Sequence, residues 1–102
     1  MIQIENARTE MPLGDGTDGT ATFVDLACLC LNYCPNGASP TELRERLAIM
    51  KRLFFKDMKE QVDTIELTPE QFVKLKRLAN ERPWPINVWC ERFLDALEAA
   101  GK

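Results

Sequence analysis

Apolar and polar positions alternate in two short stretches of the chain, Ile2-Gln3-Ile4-Glu5 and Thr64-Ile65-Glu66-Leu67. Period-two alternation puts one set of side chains on the buried face of a β-strand. Neither stretch is long enough to stand alone, so the two are expected to pair with each other. Between Ala21 and Cys34 the sequence ATFVDLACLCLNYC is apolar almost all round a helical wheel, the signature of a helix buried on most sides or lying at an interface. Pro35, Asn36 and Gly37 stop it.

Two further helices announce their own starts. Ser39-Pro40-Thr41-Glu42 and Thr68-Pro69-Glu70-Gln71 each place a capping hydroxyl before a proline and an acid or amide that can reach back. The first helix is predicted to run to about Met58, with Leu43, Leu47, Met50, Phe54 and Met58 as its apolar stripe and Ile49, Leu53 and Phe55 widening it. The second is predicted through about Asn80, burying Phe72, Leu75, Leu78 and Ala79. Pro83-Trp84-Pro85 interrupts the helical pattern. A last helix, from about Pro85 to Ala99, gathers Ile86, Trp89, Cys90, Phe93 and Leu97 on one face. The expectation is one domain over residues 1–102, mostly α, with about four helices, a minor two-stranded β element and a flexible Gly-Asp loop around residues 7–20.

The 102 residues, 45% hydrophobic and 28% charged, suit a single core and exclude a multidomain enzyme or a wholly disordered tail. The N-terminus lacks the basic start and apolar run of a secretory signal, and no apolar stretch approaches a membrane span, so a cytoplasm is the expected location and no membrane partner is expected. A net charge of −3 is too acidic for a general nucleic-acid binder. It conceals a basic segment in which Arg44, Lys51, Arg52 and Lys56 stand out and could follow a phosphate backbone. Glu42, Glu45, Asp57 and Glu60 interleave with them, the pattern of i,i+4 pairing on a solvated face, and nucleic acid is the less favoured partner.

The chain contains no histidine, which removes the commonest general bases and the Ser-His and Cys-His nucleophile pairs. Carboxylate pairs such as Glu66 with Glu70, or Asp15 with Asp18, read as caps or solvated side chains rather than as acid–base machinery. The run from Gly14 to Gly19 has neither the calcium-loop nor the phosphate-loop spacing. Cys28, Cys30 and Cys34, with Cys90 far downstream, are the sharpest candidate metal ligands, ahead of a hard cation on either carboxylate pair. In a helix, however, residues 28 and 30 point about 200° apart, and free thiols behaving as small buried hydrophobes are the expectation. No catalytic residue and no cofactor are predicted, and the chain is not expected to be an enzyme.

What remains is binding. A small fold has difficulty enclosing the apolar first helix, so part of Phe23 to Tyr33, specifically Phe23, Leu26, Leu29 and Tyr33, is expected to meet a partner or a second copy, with Trp84 and Trp89 as further anchors. The order of elements, from the N-terminal strand through ATFVDLACLCLNYC, LAIMKRLFF and IELTPEQFVKLKRL to the closing amphipathic helix, resembles small bacteriophage and prophage accessory proteins. The resemblance implies an accessory protein in the bacterial host cytoplasm, one that engages a host or phage protein and changes its activity. Alternatives are a self-associating head or tail assembly component and, less favoured, a nucleic-acid-binding regulator; a zinc or redox module is a further class.

Overall fold

The computed structural model describes residues 1–12 and 19–101. β1 (Ile2–Glu5) and β6 (Thr64–Leu67) pair antiparallel with Ile2 opposite Leu67 and Ile4 opposite Ile65. That register turns Ile4, Ile65 and Leu67 into the core and leaves Gln3, Glu5, Thr64 and Glu66 in solvent, as the period-two pattern requires.

This is not the whole of the β-structure. β2 (Arg8–Pro12) pairs with β3 (Thr20–Thr22), and β4 (Phe54–Phe55) pairs with β5 (Glu60–Gln61), so the described residues form three two-stranded antiparallel sheets and four helices. The fold is α+β, correcting the expectation of a mostly α domain with one minor β element. Within the stretch expected as a loop, Arg8–Pro12 is a strand with a register shift between Arg8 and Pro12. Buried Thr9 stabilises it, its hydroxyl donating to Ala21 O at 2.8 Å and accepting from Met11 N at 3.1 Å. The remainder of the Gly-Asp run, 13–18, lies outside the described residues.

α1 (Phe23–Asn32) starts at a capping box: Thr22 accepts from Asp25 N while Asp25 accepts from Thr22 N. Phe23, Val24, Leu26, Ala27, Cys30 and Leu31 are buried, and the Phe23 ring meets Phe93 edge-on at 5.4 Å. No basic residue sits in the last turn of α1. Arg46 compensates from α2 (Pro40–Met50), donating to Leu31 O and Tyr33 O at 3.0 and 2.7 Å, where a helix leaves carbonyls without partners.

α2 ends at Met50, not near Met58 as the apolar spacing predicts. Arg52 N and Leu53 N close a tightened last turn onto Ile49 O and Met50 O. The chain then doubles back so that Val62 N donates to Leu53 O. The turn is made by Lys56, Asp57 and Met58, all at positive φ (53°, 58° and 70°), and no glycine or proline marks it. The predicted stripe also faces the wrong way. Ile49 and Leu53 are the core residues, whereas Leu43, Leu47, Phe55 and Met58 are exposed. Ile49 is the one buried residue of α2, and ion pairs hold the helix instead. Lys74 reaches the Glu42 carboxylate at 2.6 Å and Glu45 at 3.3 Å, and Glu42 in turn holds Arg46 at 2.9 Å.

α3 (Pro69–Glu81) begins at the Thr68–Gln71 capping box and buries Phe72, Leu75, Leu78 and Ala79 as expected. α4 (Val88–Ala100) starts later than predicted, at an Asn87 cap. The intervening Trp84 Nε1 donates to Ala79 O at 2.8 Å and closes the end of α3. The four helices and the β1–β6 ladder share one core centred on Leu26, Ile65, Leu67, Leu75 and Phe93, and the radius of gyration of 13.2 Å is that of a compact domain of about 100 residues.

Two outcomes follow. Met58→Gly, placed where φ is positive, is expected to raise stability in urea unfolding by up to about 1 kcal/mol, whereas a helix continuing through Met58 would lose a similar amount. The Lys74 and Arg46 hydrogen bonds hold the Glu42 carboxyl below its ordinary value of 4.5. Its contribution is therefore present above pH 4.5 and disappears as pH falls through the lowered value. The thermal midpoint of Glu42→Gln should lie below the wild type at neutral pH and converge with it in acid.

Candidate protein-binding surface

The residues expected at an interface separate into two groups. Phe23 and Leu26 are 7% and 1% exposed and belong to the core: the fold encloses most of α1 because β1–β6, α3 and α4 all pack on it or on its neighbours. They are unavailable to a partner. Leu29 and Tyr33, four residues apart on the uncovered side of α1, are 47% and 39% exposed.

Tyr33 is joined there by a residue that sequence reasoning missed. The Arg82 guanidinium lies 4.4 Å from the centre of the Trp84 ring and 5.9 Å from that of Tyr33. The Trp84 edge is tied to Ala79 O and its ring lies 5.9 Å from Phe93, so the indole is in contact with both the core and the cation. Arg82 falls just after α3 and before Pro83, and no local pattern signals a partner as remote as Tyr33. Arg92 lies 4.4 Å over the half-buried Trp89. Ile86 is fully exposed and Val88 half exposed, so the Pro-Trp-Pro pivot presents apolar side chains between two arginine–tryptophan pairs. Tryptophan, tyrosine and arginine are the side chains that dominate interface energetics, since each combines large apolar area with a polar handle.

The basic residues are dispersed. Arg44 and Lys51 lie on the outer side of α2 and its cap, Arg52 extends to within 4.0 Å of Met1 Sδ, and Lys56 pairs with Glu60 at 3.0 Å in the hairpin turn. Arg44 and Lys51, seven residues apart, share one side of the helix, whereas Lys56 is neutralised by its pair.

The thiols are also separated in role. Cys30 is buried and donates to Leu26 O, Cys90 is buried against Met11 Sδ at 3.9 Å, Cys28 is half-buried, and Cys34 follows α1 and donates to Gly37 O at 2.7 Å. All four are free, and among the described residues no group of three or more His, Cys, Asp or Glu side chains is placed to hold a metal ion. Burial pushes Cys28 up to about 11 and Cys30 to about 12, and raises Cys90 as well, so these stay protonated near neutral pH and are poor nucleophiles. Of the carboxylate pairs, Glu66 faces solvent beside Gln3 and Glu70 occupies the first turn of α3; Asp15 and Asp18 lie outside the described residues.

An open groove of about 610 Å³ between α3 and the end of α4 is floored by Ile2 and Phe72, with no catalytic grouping in it. Among the described residues, no helix is long and apolar enough to cross a membrane. No family model, curated protein or solved structure matches the chain.

A thiol titration with a disulfide reagent near neutral pH should find Cys34 reacting first, Cys28 slowly, and Cys30 and Cys90 only on unfolding. Rapid reaction of all four in the folded protein would contradict the packing described.

Proposed function

We propose that the chain is a non-enzymatic protein-binding module that engages its partner through the corner built by Leu29, Tyr33, Arg82, Trp84 and the adjacent Ile86 and Trp89. The observation that carries the reading is the placement of Arg82 against Tyr33 and Trp84, with Ile86, two residues further along the chain, fully exposed. Cations held over aromatic rings in a fixed geometry lose little freedom on binding, and a hydrophobic side chain in full solvent beside them gains most from being covered. The absence of histidine and the raised thiols leave little for acid–base or nucleophilic chemistry, which favours binding over catalysis. The resemblance in element order to phage accessory proteins favours a partner in the infected bacterial cytoplasm, a host or phage protein whose activity is modulated.

The test is a pull-down from bacterial lysate with the wild type beside Tyr33→Ser and Ile86→Asp, whose exposed positions leave the core intact. A stoichiometric partner retained by the wild type and lost by both variants is the expected result. A protein retained equally by all three excludes this corner as the contact. Light scattering showing rings or higher oligomers in place of a monomer or dimer favours an assembly component instead.

A further inference from the structure

On the outer face of α2 only Met50 packs against the core. Leu43, Leu47 and Met50 recur at i, i+4 and i+7, the spacing of a helix's buried stripe. Leu43 and Leu47 are nevertheless 51% and 39% exposed, and Met50 is half-buried at the edge of the core. The charges beside the stripe are arranged asymmetrically. Both carboxylates of α2 are drawn to the side of α3, where Lys74 holds Glu42 and Glu45, and Arg46 is committed to Glu42 and the end of α1. Arg44 and Lys51, about 70–90° round the helix from the midpoint of the stripe, have no ion-pair partner among the described residues. The face therefore offers a leucine stripe bordered by cations, on a segment rich in basic residues within a chain of net charge −3.

We propose that this face is a second docking surface and that its occupant is an acidic amphipathic helix of a partner protein, with its apolar side on Leu43, Leu47 and Met50 and its carboxylates on Arg44 and Lys51. The charge pattern selects this occupant over the others. A second copy laid antiparallel on the same face about a twofold axis would bring Arg44 and Lys51 of both chains together, an interface that repels itself, and a parallel copy would offer those cations no carboxylate, since Glu42 and Glu45 are held by Lys74. Duplex nucleic acid would set phosphates against leucines at the centre of the contact. A lipid surface needs a longer apolar face and a denser cation cluster than one short helix provides. The proposal shares the protein-binding class with the aromatic corner but no residue, so either can fail alone.

A displayed library of random peptides about 15 residues long, roughly four helical turns, selected against the full chain and counter-selected against its Leu47→Asp variant, tests this without knowledge of the natural partner. Leu47 is exposed, so the variant should retain the wild-type circular dichroism spectrum; the double variant Arg44→Glu/Lys51→Glu alters no buried group. Enriched peptides are expected to carry apolar residues at i, i+4 and i+7 with Asp or Glu beside them. Both variants should weaken them by about tenfold or more, and the charge variant's loss should shrink at high salt. Peptides of neutral or basic character, peptides indifferent to either variant, or no enrichment over Leu47→Asp would each overturn the proposal. So would binding of short duplex DNA or of phosphatidylglycerol vesicles that Leu47→Asp abolishes, or a dimer in light scattering that the same variant dissolves.

Discussion

The fold depends on a small polar junction where three remote parts of the chain meet at the start of α1. Thr22 Oγ1 lies 2.6 Å from Gln61 Oε1, Gln61 Nε2 donates to Asp25 Oδ1 at 2.8 Å, and Asp25 Oδ2 accepts from Thr22 N at 2.8 Å. Asn6 completes it, accepting from Val24 N at 2.8 Å and donating to Val62 O at 2.9 Å. The end of β1, the cap of α1 and the β4–β5 hairpin are thus tied at one point. The two-stranded sheets are each too small to persist alone, and the junction makes them one structure. A net gain of about 1 kcal/mol per hydrogen bond is modest, but leaving one of these half-buried groups unpartnered would cost about 1–3 kcal/mol. Among the described residues no buried side-chain polar atom lacks a partner.

That junction explains why α2 stops where it does. Gln61 must return to Asp25 and Thr22, and Val62 must meet Leu53, so the chain has to reverse within a few residues of Leu53. It does so through positive φ at Lys56, Asp57 and Met58, a conformation that disfavours such side chains by about 1–2 kcal/mol each. The tertiary hydrogen bonds on either side hold the turn against that local preference. Because α2 is then anchored by the Lys74–Glu42–Arg46 chain and Ile49 rather than by a buried stripe, its leucines remain on the surface.

Both candidate contact surfaces arise from this arrangement. The apolar side chains of α1 are mostly enclosed, Leu29 and the capping Tyr33 being the large ones left exposed, and the break at Pro83 and Pro85 brings Arg82 and Trp84 alongside Tyr33. The same arginine lowers the effect of burial on Cys30 and Cys90, though burial still dominates at both thiols. Aromatic, cationic and apolar groups are therefore exposed on a rigid core, while burial keeps the Cys28, Cys30 and Cys90 thiols protonated.

Local features were legible from residues alone where the determining interaction spans a few positions: the Ser39 and Thr68 caps, the prolines at the helix starts, the β1 and β6 alternation and the buried set of α3. The pairing of β1 with β6 could also be read, since only those two stretches carried the alternation. What only the tertiary structure decided are the features set by partners far along the chain. The hairpin after Leu53 carries no glycine or proline and is imposed by Gln61 and Val62, β2 and β3 pair across the Gly-Asp segment, and Arg82 meets Tyr33 across 49 positions. Periodicity showed that α2 is amphipathic but not which of two neighbouring apolar arcs faces the core, Leu43–Leu47 or Ile49–Leu53. That choice required a neighbouring surface to bury one of them, and the surface exists only once α1, α3 and β6 have packed.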